Sequence, residues 1–251
     1  MLKRGNRKAQ LTVFIVIAIL IIVFILILFL ANKKSENVLN FETGNIEGFV
    51  QDCIMKTGSE TVYQTGAGGG YYFPADFSTD SGIAYYYADN KNYMPSKQDI
   101  EKEISFYVER KLFFCTKDFI DFPDYAITQG DIKVNTKIKD KEVALNIDYP
   151  ISIKKGENTK LLKDFNIQIP VRLGILYDSA EGIIKEQSKY NGICLNCLLN
   201  VSSNNNFYVN MLDDSNDTIV FIFKDQNSNL EGKQFSLVFA NKYKVKEIEN
   251  E

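Results

Sequence analysis

The chain has no histidine and no tryptophan, and only five prolines, four cysteines and four methionines. Without imidazole there is no Ser-His or Cys-His nucleophile pair, and most catalytic zinc sites are excluded. Without indole, phenylalanine and tyrosine must build any aromatic core, and both are plentiful at 18 and 14 residues. These residues suit strands and half-buried surfaces. Basic clusters are also missing from the body of the chain, which argues against nucleic acid as a partner. The formal net charge is −3, yet the first ten residues hold four basic side chains and no acidic one, so the remainder is more acidic still.

The strongest feature present is residues 11–30, LTVFIVIAILIIVFILILFL, where Thr12 is the only polar side chain. As a helix rising about 1.5 Å per residue, such a run matches the hydrocarbon core of a bilayer. A buried core helix rarely runs so far without a polar face. A cleaved secretory signal is shorter and ends in small residues, whereas Ala31-Asn32-Lys33-Lys34 follows here. The run therefore predicts a single transmembrane helix over 11–31, contacting lipid through 11–30. Lys3, Arg4, Arg7 and Lys8 precede the span, and their excess predicts a cytoplasmic N-terminus and an extracellular C-terminal domain.

The four cysteines, Cys53, Cys115, Cys194 and Cys197, are read as two disulfides in an exported domain. Four cysteines allow three connectivities. Spacing favours Cys194 with Cys197, which leaves Cys53 with Cys115.

The chain organisation reads as a basic segment over 1–10, the span, and a tether or helical continuation over 32–45. A helical, Tyr/Gly-rich part over 46–130 and a sheet-rich part over 131–251 follow. Ile46, Phe49, Val50, Cys53 and Ile54 trace an amphipathic helix that Asn45 is placed to cap, running to about Gln64. The glycine cluster over 66–70 ends it. That cluster lacks the Gly-Lys-Ser/Thr close of a phosphate loop and follows a helix instead of a strand, so it reads as a tight connection. Pro95-Ser96 opens a second helix, with Ile100, Ile104, Val108, Leu112 and Cys115 on one face and Glu101, Lys102, Glu109 and Arg110 on a solvated one. Two-residue alternation begins at Asp131 and gives a hairpin through Ile153, with a bend at Pro150, then a strand over 160–171. Helical spacing returns over 173–190, and strands are expected over 207–212, 218–224 and 234–243. The fold class is thus α+β: an N-terminal transmembrane helix, a helical region, then an antiparallel-sheet ectodomain with a helix inserted between its strands.

Tyr71, Tyr85, Tyr86, Tyr87 and Tyr93 crowd one polar stretch. Tyrosines on adaptable loops offer large contact area at low entropic cost, which makes these five the candidate binding residues. The plainer reading is aromatic packing over the glycine turn. Cys194 and Cys197 form a Cys-x-x-Cys pair. A thioredoxin-like redox site would open a helix directly after a strand, whereas this pair follows a predicted helix, so a local structural disulfide is the expectation. The Asp213 to Asp217 stretch is oxygen-rich, but lacks the glycine and glutamate spacing of a calcium loop and reads as a solvated hairpin turn. Asn200 and Asn216 begin glycosylation sequons.

Two resemblances follow. Arg7-Lys8-Ala9-Gln10-Leu11-Thr12 resembles the class III signal of archaeal pilin-like proteins, and that resemblance implies cleavage between Ala9 and Gln10. Those signals commonly carry a glutamate at the fifth mature position, where Phe14 stands here. Lys8-Ala9-Gln10, Cys53, Gly69-Gly70-Tyr71, Met94-Pro95-Ser96 with Cys115, and Cys194-Leu195-Asn196-Cys197 together resemble a set of single-pass membrane proteins of small-genome archaea. The resemblance implies an exported, anchored domain and no catalytic activity. The expected function is surface binding or a cell-envelope role, without a cofactor or metal, with other envelope proteins, glycans or a second copy of the chain as partners. The alternatives are a pilin-like filament subunit and an extracellular thiol-disulfide oxidoreductase.

Overall fold

Helix α1 (Gly44–Ala67) is the element that the others pack around. Its first half buries Ile46, Val50, Cys53 and Ile54. Its second half buries small residues instead, among them Thr57, Ser59, Thr61 and Thr65. Small side chains let neighbours come close, and two glycines carry this to the limit. A Cβ at Gly58 would stand 2.7 Å from Leu145 and 3.0 Å from Ile169, and one at Gly66 would stand 2.7 Å from the Ser236 carbonyl oxygen. Leu145 and Ile169 belong to one sheet and Ser236 to the other, so α1 packs closely on both.

The structure, a computed structural model, describes residues 21–22, 43–190, 192–214 and 217–243. The chain divides into two compact units, Met1–Glu42 and Thr43–Glu251. In the first, Ile21 and Ile22 are helical and exposed. The rest of the predicted span, residues 32–42 of the segment read as a tether or helix continuation over 32–45, and the Ala9-Gln10 processing site lie outside the described residues; Thr43 to Asn45 cap and begin α1. Among the described residues no helix is long and apolar enough to cross a membrane.

The second unit is mixed α+β. In chain order α1 is followed by β1 (Tyr85–Ala88), β2 (Lys91–Asn92), α2 (Lys97–Thr116), β3 (Ala126–Gln129), β4 (Lys133–Ile138), β5 (Val143–Lys155) and β6 (Asn158–Ile169). Then come α3 (Leu173–Tyr190), α4 (Leu195–Asn205), β7 (Phe207–Asp213), β8 (Thr218–Leu230) and β9 (Lys233–Lys242). Thr43, not Asn45, is the N-cap of α1, and it makes no side-chain cap bond. The helix also runs three residues past Gln64, to Ala67. Ser96 does cap α2, accepting the Asp99 N–H at 3.1 Å.

In the first sheet β5 is central. It pairs antiparallel with β6 along one edge and with β4 and then β3 along the other. Val143, Leu145, Ile147, Tyr149, Ile151 and Ile153 are all buried, the alternation visible in the sequence. The β5–β6 register shifts between Asp148 and Ile151, at the Pro150 bend. The outer edge of β4 is closed by α2. The Val134, Thr136 and Ile138 N–H groups donate to Glu109 Oε1 at 2.8 Å, Ser105 Oγ at 3.1 Å and Glu101 Oε1 at 2.9 Å. Four helical residues advance about 6 Å and two strand residues about 6.6 Å, so the helix and strand repeats stay in step. Glu101 and Glu109, expected on a solvated face, are thus edge caps that block pairing with a foreign strand.

The second sheet has strand order β2-β1-β9-β8-β7. β1 runs parallel to β9, and the other neighbours are antiparallel. Rings form its core across four strands: Tyr86 stacks on Phe239 at 4.5 Å, Phe239 on Phe221 at 5.3 Å, and Phe223 on Phe207 at 5.1 Å. Because β1 comes from the 46–130 stretch and β9 from the 131–251 stretch, that sequence division is not a division in space.

The two sheets are joined at Arg172, which follows β6 and precedes α3. Its guanidinium pairs with the fully buried Asp225 carboxylate, with Nε 3.0 Å from Oδ2. Asp225 also accepts from Ser228 Oγ and, at 3.1 Å, from the Asn227 N–H. Burial acts to raise the Asp225 pKa, but the Arg172, Ser228 and Asn227 bonds outweigh it and hold the carboxyl below its ordinary value. Both disulfides match the pairing that spacing favours. Cys53 and Cys115 link α1 to α2 with Cα atoms 5.7 Å apart, and Cys194 and Cys197 close a local loop with Cα atoms 5.2 Å apart.

Two outcomes follow from these contacts. Gly66→Ala meets a backbone carbonyl, which cannot swing aside, and is expected to cost about 1–3 kcal/mol by overpacking. Gly58→Ala meets only the tips of Leu145 and Ile169 and costs less, an ordering that thermal melts of the two variants check. Asp225 has a depressed pKa in the folded state, so its stabilisation is complete above the ordinary carboxylate range and is lost as pH falls below about 4. Arg172→Ala should cost about 3–5 kcal/mol at neutral pH by stranding the buried carboxylate, and that penalty should shrink in melts run at acid pH.

Candidate functional site

The stretch from Gly68 to Tyr93 builds a half-open pocket. Gly69 and Gly70 have φ of 68° and 95°, a conformation that glycine adopts without strain. A Cβ at Gly70 would stand 2.9 Å from Pro95 and 3.0 Å from Ile100, so this glycine also lets the start of α2 lie against residues 70–73. From there the chain is pinned to α2. The Tyr72 N–H donates to Glu103 Oε1 at 3.0 Å, and the Tyr72 ring stacks on Tyr107 at 4.4 Å. Lys111 Nζ bridges Tyr72 Oη at 3.1 Å and Glu60 at 3.0 Å. Burial acts to lower the Lys111 pKa, but these two partners outweigh it and the net shift is upward.

A turn closes the other wall. The Gly82 N–H donates to the Thr79 carbonyl at 2.8 Å, and the Ile83 N–H donates to Thr79 Oγ1 at 3.2 Å. This returns the chain to Tyr85, whose hydroxyl shares a 3.2 Å hydrogen bond with Thr218 Oγ1. Phe77 then lies 4.8 Å from Tyr85 and 4.7 Å from Tyr93, ring centroid to centroid. The resulting cavity measures about 440 Å³. Tyr71, Phe73, Phe77, Tyr85, Tyr93 and Tyr107 supply its rings, and Asp76 and Glu103 its carboxylates. That volume falls within the range of small-ligand sites. Burial, and then the negative field of Asp99, Glu103 and Asp76, hold the Tyr71 phenol above its ordinary pKa.

Of the five tyrosines singled out in the sequence, Tyr71, Tyr85 and Tyr93 meet in this pocket. Tyr86 and Tyr87 do not: they are 0% and 1% exposed. The reason is that successive side chains of a strand point to opposite faces and both faces of β1 are covered. Tyr86 packs on Phe239, and Tyr87 turns to Asn90 and Tyr243. Phe73, Phe77, Glu103 and Tyr107 were not expected in the site. Glu103 and Tyr107 are one helical turn apart on α2, off its apolar stripe, which is the signal that was available.

A larger depression of about 570 Å³ lies between α2 and β4. Its polar atoms at Glu101, Ser105 and Glu109 are the ones that cap the β4 edge, so they are already engaged. Among the described residues no group of three or more acidic or thiol side chains is arranged to hold a metal ion.

The cysteine pair forms the expected local disulfide, but in a setting the sequence did not show. Cys194 and Cys197 open a helix: Cys194 is the N-cap of α4, and its sulfur accepts the Cys197 N–H at 3.2 Å. No strand directly precedes the pair, since α3 ends at Tyr190. Asn200 is exposed within α4, while Asn216 lies outside the described residues.

Comparison with known protein families, with curated proteins and with solved structures finds no match for this chain.

The division between pocket and core is measurable. Tyr86→Ala removes a buried stacked ring and should cost about 3–5 kcal/mol. Tyr93→Ala, at an exposed pocket wall, should stay within about 1 kcal/mol of the wild type in the same denaturant titrations.

Proposed function

We propose that this protein is a membrane-anchored extracytoplasmic binding domain, held to the bilayer by residues 11–30 and recognising its partner through the aromatic pocket. The observation that carries the reading is the pocket itself, a 440 Å³ cavity in which six rings and two carboxylates converge. Phe73, Phe77 and Tyr93 keep 61%, 41% and 40% of their surface open, an exposure that packing alone does not call for. Two disulfides suit an oxidising, extracytoplasmic setting. The reading requires no catalysis and no cofactor, and the partner is an envelope protein, a glycan or a second copy of the chain.

A second feature supports lipid contact. The Cys53–Cys115 link sets the C-terminal turn of α2 beside the first turns of α1. Phe113, Phe114 and Ile120 are 48%, 72% and 67% exposed there. Aromatic and aliphatic side chains of this kind settle at the membrane interface.

One observation favours a second reading, an extracellular thiol-disulfide oxidoreductase. Cys194 stands at the N-terminus of α4, where the helix dipole stabilises a thiolate.

Purification from the native membrane, N-terminal sequencing, imaging and thiol alkylation test these together. The anchored reading expects an intact N-terminus, a dispersed protein, and four cysteines that react only after reduction. A chain beginning at Gln10 and found in filaments would replace it with the pilin-like alternative. A Cys194–Cys197 pair that exchanges rapidly with glutathione while Cys53–Cys115 stays closed would favour the oxidoreductase.

A further inference from the structure

We infer that the aromatic pocket takes an organic cation, an alkylammonium group such as a quaternary ammonium or a lysine side chain offered by a partner. The inference rests on the reading of this pocket as the binding site and specifies its ligand. Charge decides it. Three other depressions on the unit each include a basic side chain: Lys102 and Lys137 in one, Lys133 in the second and Arg110 in the third. The aromatic pocket has two carboxylates, Asp76 and Glu103, and no lysine or arginine among its described lining residues.

The rings point the same way. Phe77 lies 4.8 Å from Tyr85 and 4.7 Å from Tyr93, and Phe73 stands 5.4 Å from Tyr107. Each ring face carries the negative end of a quadrupole, so rings gathered around a cavity attract a cation that sheds its water poorly elsewhere. A neutral sugar would also stack on such rings. Its hydroxyls could also donate to the two carboxylates, but it gains nothing from their net negative charge, whereas a cation gains from the rings and the carboxylates together.

The test uses the full chain in a polyoxyethylene detergent. Choline chloride, its uncharged isostere 3,3-dimethylbutan-1-ol and a neutral oligosaccharide are each titrated by calorimetry. Tyrosine emission serves as a second readout, free of tryptophan background. Choline should bind at least about tenfold more tightly than the isostere, and added salt should weaken it. Asp76→Asn with Glu103→Gln should bring choline and the isostere to the same affinity. Tyr93→Ala should weaken choline while leaving the melting temperature in place. Equal binding of choline and the isostere would overturn the cation assignment. Binding of the oligosaccharide without choline would overturn it too, while leaving the pocket as the binding site. If none of the three ligands gives a signal, both the assignment and the pocket reading fail.

Discussion

The unit depends on how closely α1 approaches its two sheets. A helix normally stands off a sheet by the length of its side chains. At Gly58 and Gly66 that spacing is removed, so Leu145 and Ile169 press on α1 at one point and Phe235 and Ser236 press on it about two turns later. Close packing of this kind maximises dispersion contacts and leaves no room for adjustment. It also fixes where α1 ends, and so where the glycine turn delivers residues 71–77. The pocket is therefore a consequence of this packing: its first wall begins where α1 runs out of helix.

Polar groups then hold the pieces in register. Arg172 and Asp225 pair at the junction of the sheets, where a bulge in β8 between Lys224 and Asn229 leaves room for the carboxylate's other donors. Along β4, three side chains of one helix take up three strand N–H groups. Both devices put charged or hydroxyl groups where apolar ones would pack as well, and both specify one arrangement over its neighbours. A free β4 edge would accept a foreign strand, and an unpaired Asp225 would not stay buried. The Cys53–Cys115 bond adds a covalent constraint across 62 residues, for which the loop-entropy estimate is about 4 kcal/mol.

At the surface the same segments yield an acidic, aromatic recess. Tyr72 does much of the positioning without lining the cavity: its N–H engages Glu103, its ring covers Tyr107, and its hydroxyl meets Lys111. Lys111 is thereby drawn toward Glu60, which keeps its charge on the far side of Tyr72 from the pocket. The recess retains its negative character for that reason. An exposed recess of this chemistry suits recognition of a positively charged group on a neighbouring molecule.

Local periodicity made much of this legible. The apolar stripes of α1 and α2, the alternation of β5, the strands after residue 207 and the cap at Ser96 all stand in the sequence, because each is set by neighbours a few residues away. The pairing of the four cysteines followed from the same spacing. The reading of Tyr86 and Tyr87 did not follow. Consecutive residues of a strand look alike in sequence, and only the parallel pairing of β1 with β9 decides that Tyr86 and Tyr87 are core while Tyr85 faces the pocket. Glu101 and Glu109 likewise look solvated until β4 is laid beside α2, and α4 is hidden because Cys194 caps it in place of a usual polar residue. The amino-acid sequence by itself determined α1, α2, α3, the alternating strands from β4 onward and the apolar run ahead of them, and it favoured the disulfide pairing. Only the tertiary structure decided which rings and carboxylates share a cavity, because that depends on contacts between segments distant in the chain.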